Sequence, residues 1–451
     1  MIARARIAAY DMLSAVSGGR ADLPGAIAEA RASLADDRDR ALATEIATGV
    51  QRQRAALDHL IVQFSKRQLD RLDPEIVEIL RIGLYQLLHL TRVPARAIVD
   101  DAVELSRRAG KTSASGLVNA LLRTAVRCRA SMPLPPRPAD PTDRHAVLDY
   151  FSIALSHPRW LAARWYDRFG FDTAETWLQL NNEAAPLTLR ANRLRVSRDE
   201  LRERLKGLGV VTRPGSFAPD ALVVEAGHPT GNDFVLQDEA SQLVTLLAGA
   251  IPGARVLDAC ASPGGKATAL AATMRHGPAG SRLVACDVRT RRMDLLRRTI
   301  LSTGAESIWV VQASLLESPP FSVLFDCVLV DAPCSGLGTL RRDPDIRWRR
   351  READLPALAD AQLRMLRHAA DAVMDGGRLV YATCSSEPEE NEQIADRFLR
   401  SSPDFVPVDA RRAHPSMPAS VVDDRGHLRT TPDRHGLQAF FGAVFEKSPR
   451  L

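Results

Sequence analysis

RVLDACASPGGKATAL, residues 255–270, decides the fold. Its opening residues alternate into a short strand that stops at Asp258, a turn carries Pro263, Gly264 and Gly265, and ATAL begins a helix. Strand, glycine-rich turn and helix start, in that order, describe one crossing of a parallel α/β sheet with a ligand opening at the strand's carboxyl end. Two consecutive glycines let a ligand approach bare backbone amides. The run is not G-x-G-x-x-G, and no G-K-[ST] follows, so neither a pyrophosphate cradle nor a P-loop fits.

The next apolar run, VACDV, ends a second strand on Asp287, where an acidic side chain can accept two hydrogen bonds from a ribose. Asp258 is placed to orient an amino group. Together these features point to an adenosine cofactor with a charged amino-acid tail, which fits S-adenosyl-L-methionine. The cofactor loop comprises Cys260, Ala261, Ser262, Pro263, Gly264, Gly265 and Lys266, with Asp287 beyond it. A turn that merely requires glycines is the plainer alternative, and Asp287 weighs against it.

Two thiols follow. VLVDAPCSGLG (328–338) puts Asp331 and Cys334 after an apolar run, and RLVYATCSSEPEEN (378–391) puts Thr383 and Cys384 after another. If those strands are neighbours, one carboxylate and two thiols share the sheet edge where open α/β sheets bind ligands. Thiols there suit covalent chemistry on an electrophilic carbon such as pyrimidine C6. Cys128, Cys286 and Cys327 read as inert small hydrophobes, and no C-x-x-C or further ligand spacing supports a metal.

Outward from this core, strands at 254–259, 282–287, 306–311, 325–331, 377–383 and 440–446 alternate with helical segments, predicting a parallel doubly wound, Rossmann-like α/β domain over 246–451. Residues 147–245 mix helix and strand and are expected to form a small α+β module. Five prolines in SMPLPPRPADPTDR make 131–146 an extended linker. Residues 1–130 carry helical periodicity, with Ile79, Leu80, Ile82, Gly83, Leu84, Leu87 and Leu88 on one stripe that Pro94 ends, predicting an all-α bundle.

The chain has 451 residues, 45% hydrophobic and 25% charged, and a net charge of only +5. Lysine is confined to positions 66, 111, 206, 266 and 447, leaving 55 arginines, which reads as a coding bias. Arg341, Arg342, Arg347 and the run 349–351 are the candidates for phosphate contact, against the plainer reading of a solvated helix face; Arg92, Arg96 and Arg107 are weaker ones. No signal peptide or run of ~18 apolar residues is present, so a cytoplasmic, monomeric protein without membrane or metal is expected.

DACASPGGK, DAPCSGLG and YATCSSEPEENE resemble the Nop/Sun family of RNA cytosine-5 methyltransferases, and EILRIGLYQLLHLTRVPARAIVDDAVELSRRAGKTSASGLVNALLR resembles a NusB-like RNA-binding domain. With SHPRWL, LTLRANRL and FVLQDEASQL, the pairing is similar to the bacterial 16S ribosomal RNA methyltransferases of the Sun/Fmu type. The resemblance implies methyl transfer from S-adenosyl-L-methionine to C5 of a specific cytosine in 16S rRNA, naked or in an early small-subunit particle, through a covalent cysteine–C6 adduct. It assigns Cys384 as nucleophile, Cys334 to product release, residues 260–266 and Asp287 to the cofactor, and Asp331 to both catalysis and cofactor. Ser262 stands where alanine is usual, Ser314 stands near where a third-strand acid is expected, and Gln438-Ala439-Phe440-Phe441 replaces D-G-F-F. The alternatives are the same chemistry on transfer RNA, a non-catalytic assembly factor, and a DNA cytosine methyltransferase. Intact Asp331, Cys334 and Cys384 oppose the second, and the third would need neither Cys384 nor a NusB-like domain.

Overall fold

The computed structural model describes residues 2–249, 252–275 and 282–449. The chain divides into two compact units, one of residues 1–184 with 340–352, the other of 185–339 with 353–451.

In the first unit, seven helices run from Arg4–Ser17 to Ser115–Arg127 around one apolar core. The predicted stripe lies on helix Pro74–His89, buried along nearly its whole length. This helix stops at His89, and Pro94 instead precedes the first turn of helix Ala95–Arg108, where its missing N–H costs nothing. The proline-rich segment is not free: Arg137 pairs with Glu175, and the Pro133 carbonyl faces the His59 ring at 2.9 Å. Residues 147–184 also belong to this unit, with helix Arg159–Asn182 kinked at Gly170, whose φ is +75°.

Arg347 corrects the phosphate expectation at one of its positions. Arg347 is fully buried, and its guanidinium donates to the carbonyls of Ser156 (3.0 Å) and Asn181 (3.1 Å) and to Asn182 Oδ1 (2.8 Å). Arg349 pairs with buried Asp345 and Arg341 with Glu183. Residues 340–352 thus leave the sheet-bearing unit and are built into the helical one, Arg347 acting as an internal hydrogen-bond donor rather than a surface cation.

The second unit begins with four strands, β1 (Thr188–Ala191), β2 (Val211–Pro214), β3 (Ala221–Ala226) and β4 (Phe234–Leu236), in the antiparallel order β2-β3-β1-β4. Helix Arg198–Gly207 between β1 and β2 starts on a reciprocal Ser197–Glu200 capping box. The large sheet comprises β5 (Arg255–Asp258), β6 (Arg282–Asp287), β7 (Ile308–Gln312), β8 (Phe325–Asp331), β9 (Val373–Thr383), β10 (Phe405–Val408), β11 (Leu428–Thr430) and β12 (Phe440–Lys447). Its order is β10-β12-β9-β8-β5-β6-β7, with β11 beside β12. Strands β5 to β9 are mutually parallel, whereas β12 runs antiparallel to β9.

Alternation explains the layers. Val256, Leu329 and Val380 enter one apolar cluster, while Leu257, Val328, Val330, Leu379 and Tyr381 enter the cluster on the opposite face. Both faces are covered, so these strands read as continuous apolar runs. Their carboxyl ends are left to carry polar side chains.

Candidate active site

The strands β8 and β9 are neighbours, with Asp331 opposite Ala382. Their ends therefore deliver both cysteines to one place: Cys334 Sγ lies 3.3 Å from Cys384 Sγ, and both residues are half-buried. The hydrogen bond to Cys384, then burial, push the Cys334 thiol well above its ordinary range. Cys286 and Cys327 are buried and each pushed up to about 12, chiefly by burial, whereas Cys128 is half-buried.

Lys266, in the first turn of helix Gly265–Thr273, reaches Asp331 Oδ2 with its Nζ at 2.6 Å and lies over the Phe440 ring at 5.9 Å. Burial opposes its charge, but the attraction of Asp331 and then of Asp258 more than offsets this, and its pKa is raised. Asp258 is fully buried at the end of β5. Burial, then the charge of Asp331, push its carboxyl up to about 7, with Lys266 and a weaker pull from the Cys260 amide opposing. An acid, a lysine and a second acid thus form one charged cluster, whose lysine also feels the charge of Cys384.

The loop between β5 and that helix turns at Gly264, whose φ of +108° excludes other residues, and a Cβ there would meet Leu296 at 3.0 Å. Asp287 ends β6 and accepts from the Ser262 amide (3.2 Å) and from Arg292 Nε (3.1 and 3.0 Å), so the predicted ribose acid also ties down the loop. Gly338 matters for a different reason. Its N–H donates to the Cys384 carbonyl, its carbonyl accepts from Ala439, and a Cβ would stand 2.0 Å from the Ala439 oxygen. The Gln438–Phe441 element is thereby fixed against the Cys334 loop.

The sequence pattern of a family described as 16S rRNA methyltransferase RsmB/F matches residues 245–446. A NusB family pattern matches residues 3–127, and a ferredoxin-like domain pattern of the RsmF/B-like methyltransferases matches 157–230. The probable ribosomal RNA small subunit methyltransferase B of Bacillus subtilis is 31% identical, covering 90% of each chain. The chain belongs to the ribosomal RNA small subunit methyltransferase B family. Ribosomal RNA small subunit methyltransferase B of Pseudomonas putida is 35% identical over 88% of this chain and 89% of its own.

This rRNA methyltransferase therefore carries a NusB domain, a ferredoxin-like module and a Rossmann-like methyltransferase domain. Among solved structures, PH0851 superposes with a TM-score of 0.80 over 99% of each chain at 24% identity, a likeness of fold. A methyltransferase homolog protein from Pyrococcus horikoshii gives 0.57 over 67% of this chain and 99% of its own, at 25% identity. Among the described residues, no cluster of His, Cys, Asp and Glu is placed to hold a metal ion, and no helix is long and apolar enough to cross a membrane.

Sequence reasoning missed several residues that shape the site. Arg190 on β1 is buried and donates to Gln237 Oε1 (2.5 Å), to Thr268 Oγ1 (2.9 Å) and to the Gly265 carbonyl, holding the start of helix Gly265–Thr273. Burial pushes its pKa down to about 10, so it stays charged at neutral pH. Its signal was an arginine at an inward position of the strand-like run LTLRAN. Glu390, Gln362, Ser335 and Ser385 form a buried network beside the thiols. Ser314 lies just past β7, where its Oγ accepts from the Leu316 amide.

Proposed function

We propose that this methyltransferase methylates C5 of a cytosine in 16S rRNA, with Cys384 as nucleophile, and that S-adenosyl-L-methionine is its methyl donor. The observation that carries the reading is the 3.3 Å approach of two sulfurs beside the Lys266–Asp331 pair. One thiol would suffice for simple deprotonation chemistry. Two in contact suit a reaction with an addition and an elimination.

The residues present fit the cofactor. Asp258 is a buried carboxyl whose two oxygens accept no well-formed hydrogen bond from a described residue, and a bound ammonium group would satisfy it. Asp287 would hold the ribose hydroxyls, and the amides of residues 260–266 would line the rest. When bound, S-adenosyl-L-methionine supplies an electrophilic methyl group on a sulfonium.

C5 of cytosine is too weakly nucleophilic to take that methyl unaided. Cys384 adds as thiolate to C6 and makes C5 enamine-like. A free thiol of pKa ≈ 8.5 is only a few per cent ionised at neutral pH, a cost of about 2 kcal/mol. The Cys334 thiol lies within hydrogen-bonding distance of the Cys384 sulfur, at 3.3 Å. Asp331, held by Lys266 at 2.6 Å, faces the charge that develops on the base. After methyl transfer a base removes the C5 proton and Cys384 departs. Once the Cys384 sulfur is bonded to carbon, the hydrogen bond that most raises the Cys334 thiol is lost, so Cys334 can release its own proton to solvent and then act as the base in that step.

The target base must leave its stack, so an unpaired or flipped cytosine is expected. The helical NusB domain and the ferredoxin-like module are proposed to carry the RNA contacts. The test offers labelled S-adenosyl-L-methionine with 16S rRNA, transfer RNA and DNA in parallel. Label appearing as 5-methylcytosine in 16S rRNA supports the proposal, and label in another nucleic acid or at another atom overturns it.

A further inference from the structure

The two thiol-bearing strands pair with each other as far as Asp331 and Ala382, and β9 pairs with β12 as far as Thr383. Beyond that point each cysteine sits in a loop. A carboxylate joins those loops. Glu390 is fully buried, and its Oε1 accepts from the Ser335 amide (2.8 Å) and from Gln362 Nε2 (2.8 Å). Its Oε2 accepts from Ser385 Oγ at 2.6 Å. Ser335 follows Cys334 and Ser385 follows Cys384, and their hydroxyls lie 3.1 Å apart. Gln362 also donates to the carbonyl of Pro333, the residue before Cys334.

The neighbouring residue braces the second loop again. Asn391 Oδ1 accepts from Thr383 Oγ1 at 2.6 Å, and Asn391 Nδ2 donates to the Ser385 carbonyl at 3.0 Å. A carboxylate has about four acceptor sites and no donor, which suits a point where three donors from three segments converge. Hydrogen bonds to a charged acceptor are also the strong ones, and here they are out of water.

We propose that Glu390 is a positioning residue that sets the separation of the Cys334 and Cys384 sulfurs. The proposal rests on the two-thiol reading of the reaction, in which one sulfur must act on an adduct formed by the other. Glu390 touches no reacting atom; it acts through Ser335 and Ser385.

The two obvious substitutions separate geometry from charge. In Glu390→Gln the two N–H donors at Oε1 require the amide oxygen there, leaving the amide nitrogen against Ser385 Oγ. That hydroxyl can turn to accept, as it already does from the Glu387 amide. The strut survives without its charge. Glu390→Ala removes it.

Phenylarsine oxide, which condenses with two adjacent thiols and loses water, reads the sulfur separation directly on the full-length protein without RNA. We expect Glu390→Ala to slow bridging of Cys334 and Cys384, mapped by mass spectrometry, by about tenfold or more (~1.4 kcal/mol). Glu390→Gln should stay within about threefold of the parent, and S-adenosyl-L-methionine affinity should be unchanged in both. Unchanged bridging in Glu390→Ala overturns the proposal, as does a parallel loss of cofactor affinity, which marks general collapse of the site. Should Glu390→Ala fail to fold, Ser385→Ala cuts the Oε2 arm together with the hydroxyl's contacts to Ser335 Oγ and the Glu387 amide, and must slow bridging for the proposal to stand. The adduct reading is tested apart from this, by whether Cys334→Ala accumulates a protein–RNA adduct.

Discussion

Asp258→Asn should flatten part of the pH dependence of folding stability in the cofactor-free protein. The carboxyl is fully buried and its pKa stands at about 7, against 3.8 in the unfolded chain. Between those values the unfolded chain has released the proton and the folded one keeps it. Stability therefore falls as pH rises, by about 1.4 kcal/mol per unit and roughly 4 kcal/mol across the window. The cost is absent below pH 3.8 and complete above pH 7. Asparagine cannot ionise, so the variant should match the parent near pH 4 and exceed it by up to roughly 4 kcal/mol at pH 8. Urea unfolding followed by circular dichroism, parent against variant, measures that difference. A difference that does not change with pH refutes the reasoning. Calorimetry provides a second reading. If the ammonium group of the cofactor pairs with Asp258, binding at pH 7 should release about half a proton, seen as a buffer-dependent heat.

The two cysteines should fail differently. Cys384→Ala should abolish both methyl transfer and any denaturant-resistant protein–RNA band, whereas Cys334→Ala should accumulate that band; the reverse pattern would exchange their roles, and unaffected turnover in both would end the covalent mechanism. Asp287→Ala should weaken S-adenosyl-L-methionine binding at least about tenfold, or ~1.4 kcal/mol, and unchanged affinity in a folded variant removes the ribose role from Asp287. Arg347→Met should destabilise the helical unit by about 3 kcal/mol or more, because buried carbonyls lose their donor, while cofactor affinity is kept; a loss well under 1 kcal/mol would show that the buried guanidinium is dispensable.

What was legible in the sequence was what short-range pattern encodes. Apolar runs ending in Asp258, Asp287, Asp331 and Thr383 gave the strands, and a polar residue just past an apolar run marked the sheet's carboxyl edge. The meeting of Cys334 and Cys384 needed one further condition, that β8 and β9 be adjacent, and that holds. The direction of β12 was not legible, since alternation is the same read either way. Arg347 and Glu390 were misread or passed over for a common reason. Each sits in a charge-rich run, RWRRRE and SSEPEENE, that looks solvated. Their burial depends on acceptors and donors from distant segments, such as Ser156, Asn181, Ser335 and Gln362.

Arg347 also imposes an order on synthesis. The carbonyls of Ser156 and Asn181 belong to residues that leave the ribosome long before residue 347 does. At about 5–20 residues per second, the delay is on the order of 10–40 s. During that interval the helical unit can assemble its apolar core, but those two carbonyls await their donor. A nascent chain halted before Arg347 is thus a helical unit with an unfilled polar socket, and protease resistance of stalled chains should rise in a step once residues 340–352 have emerged.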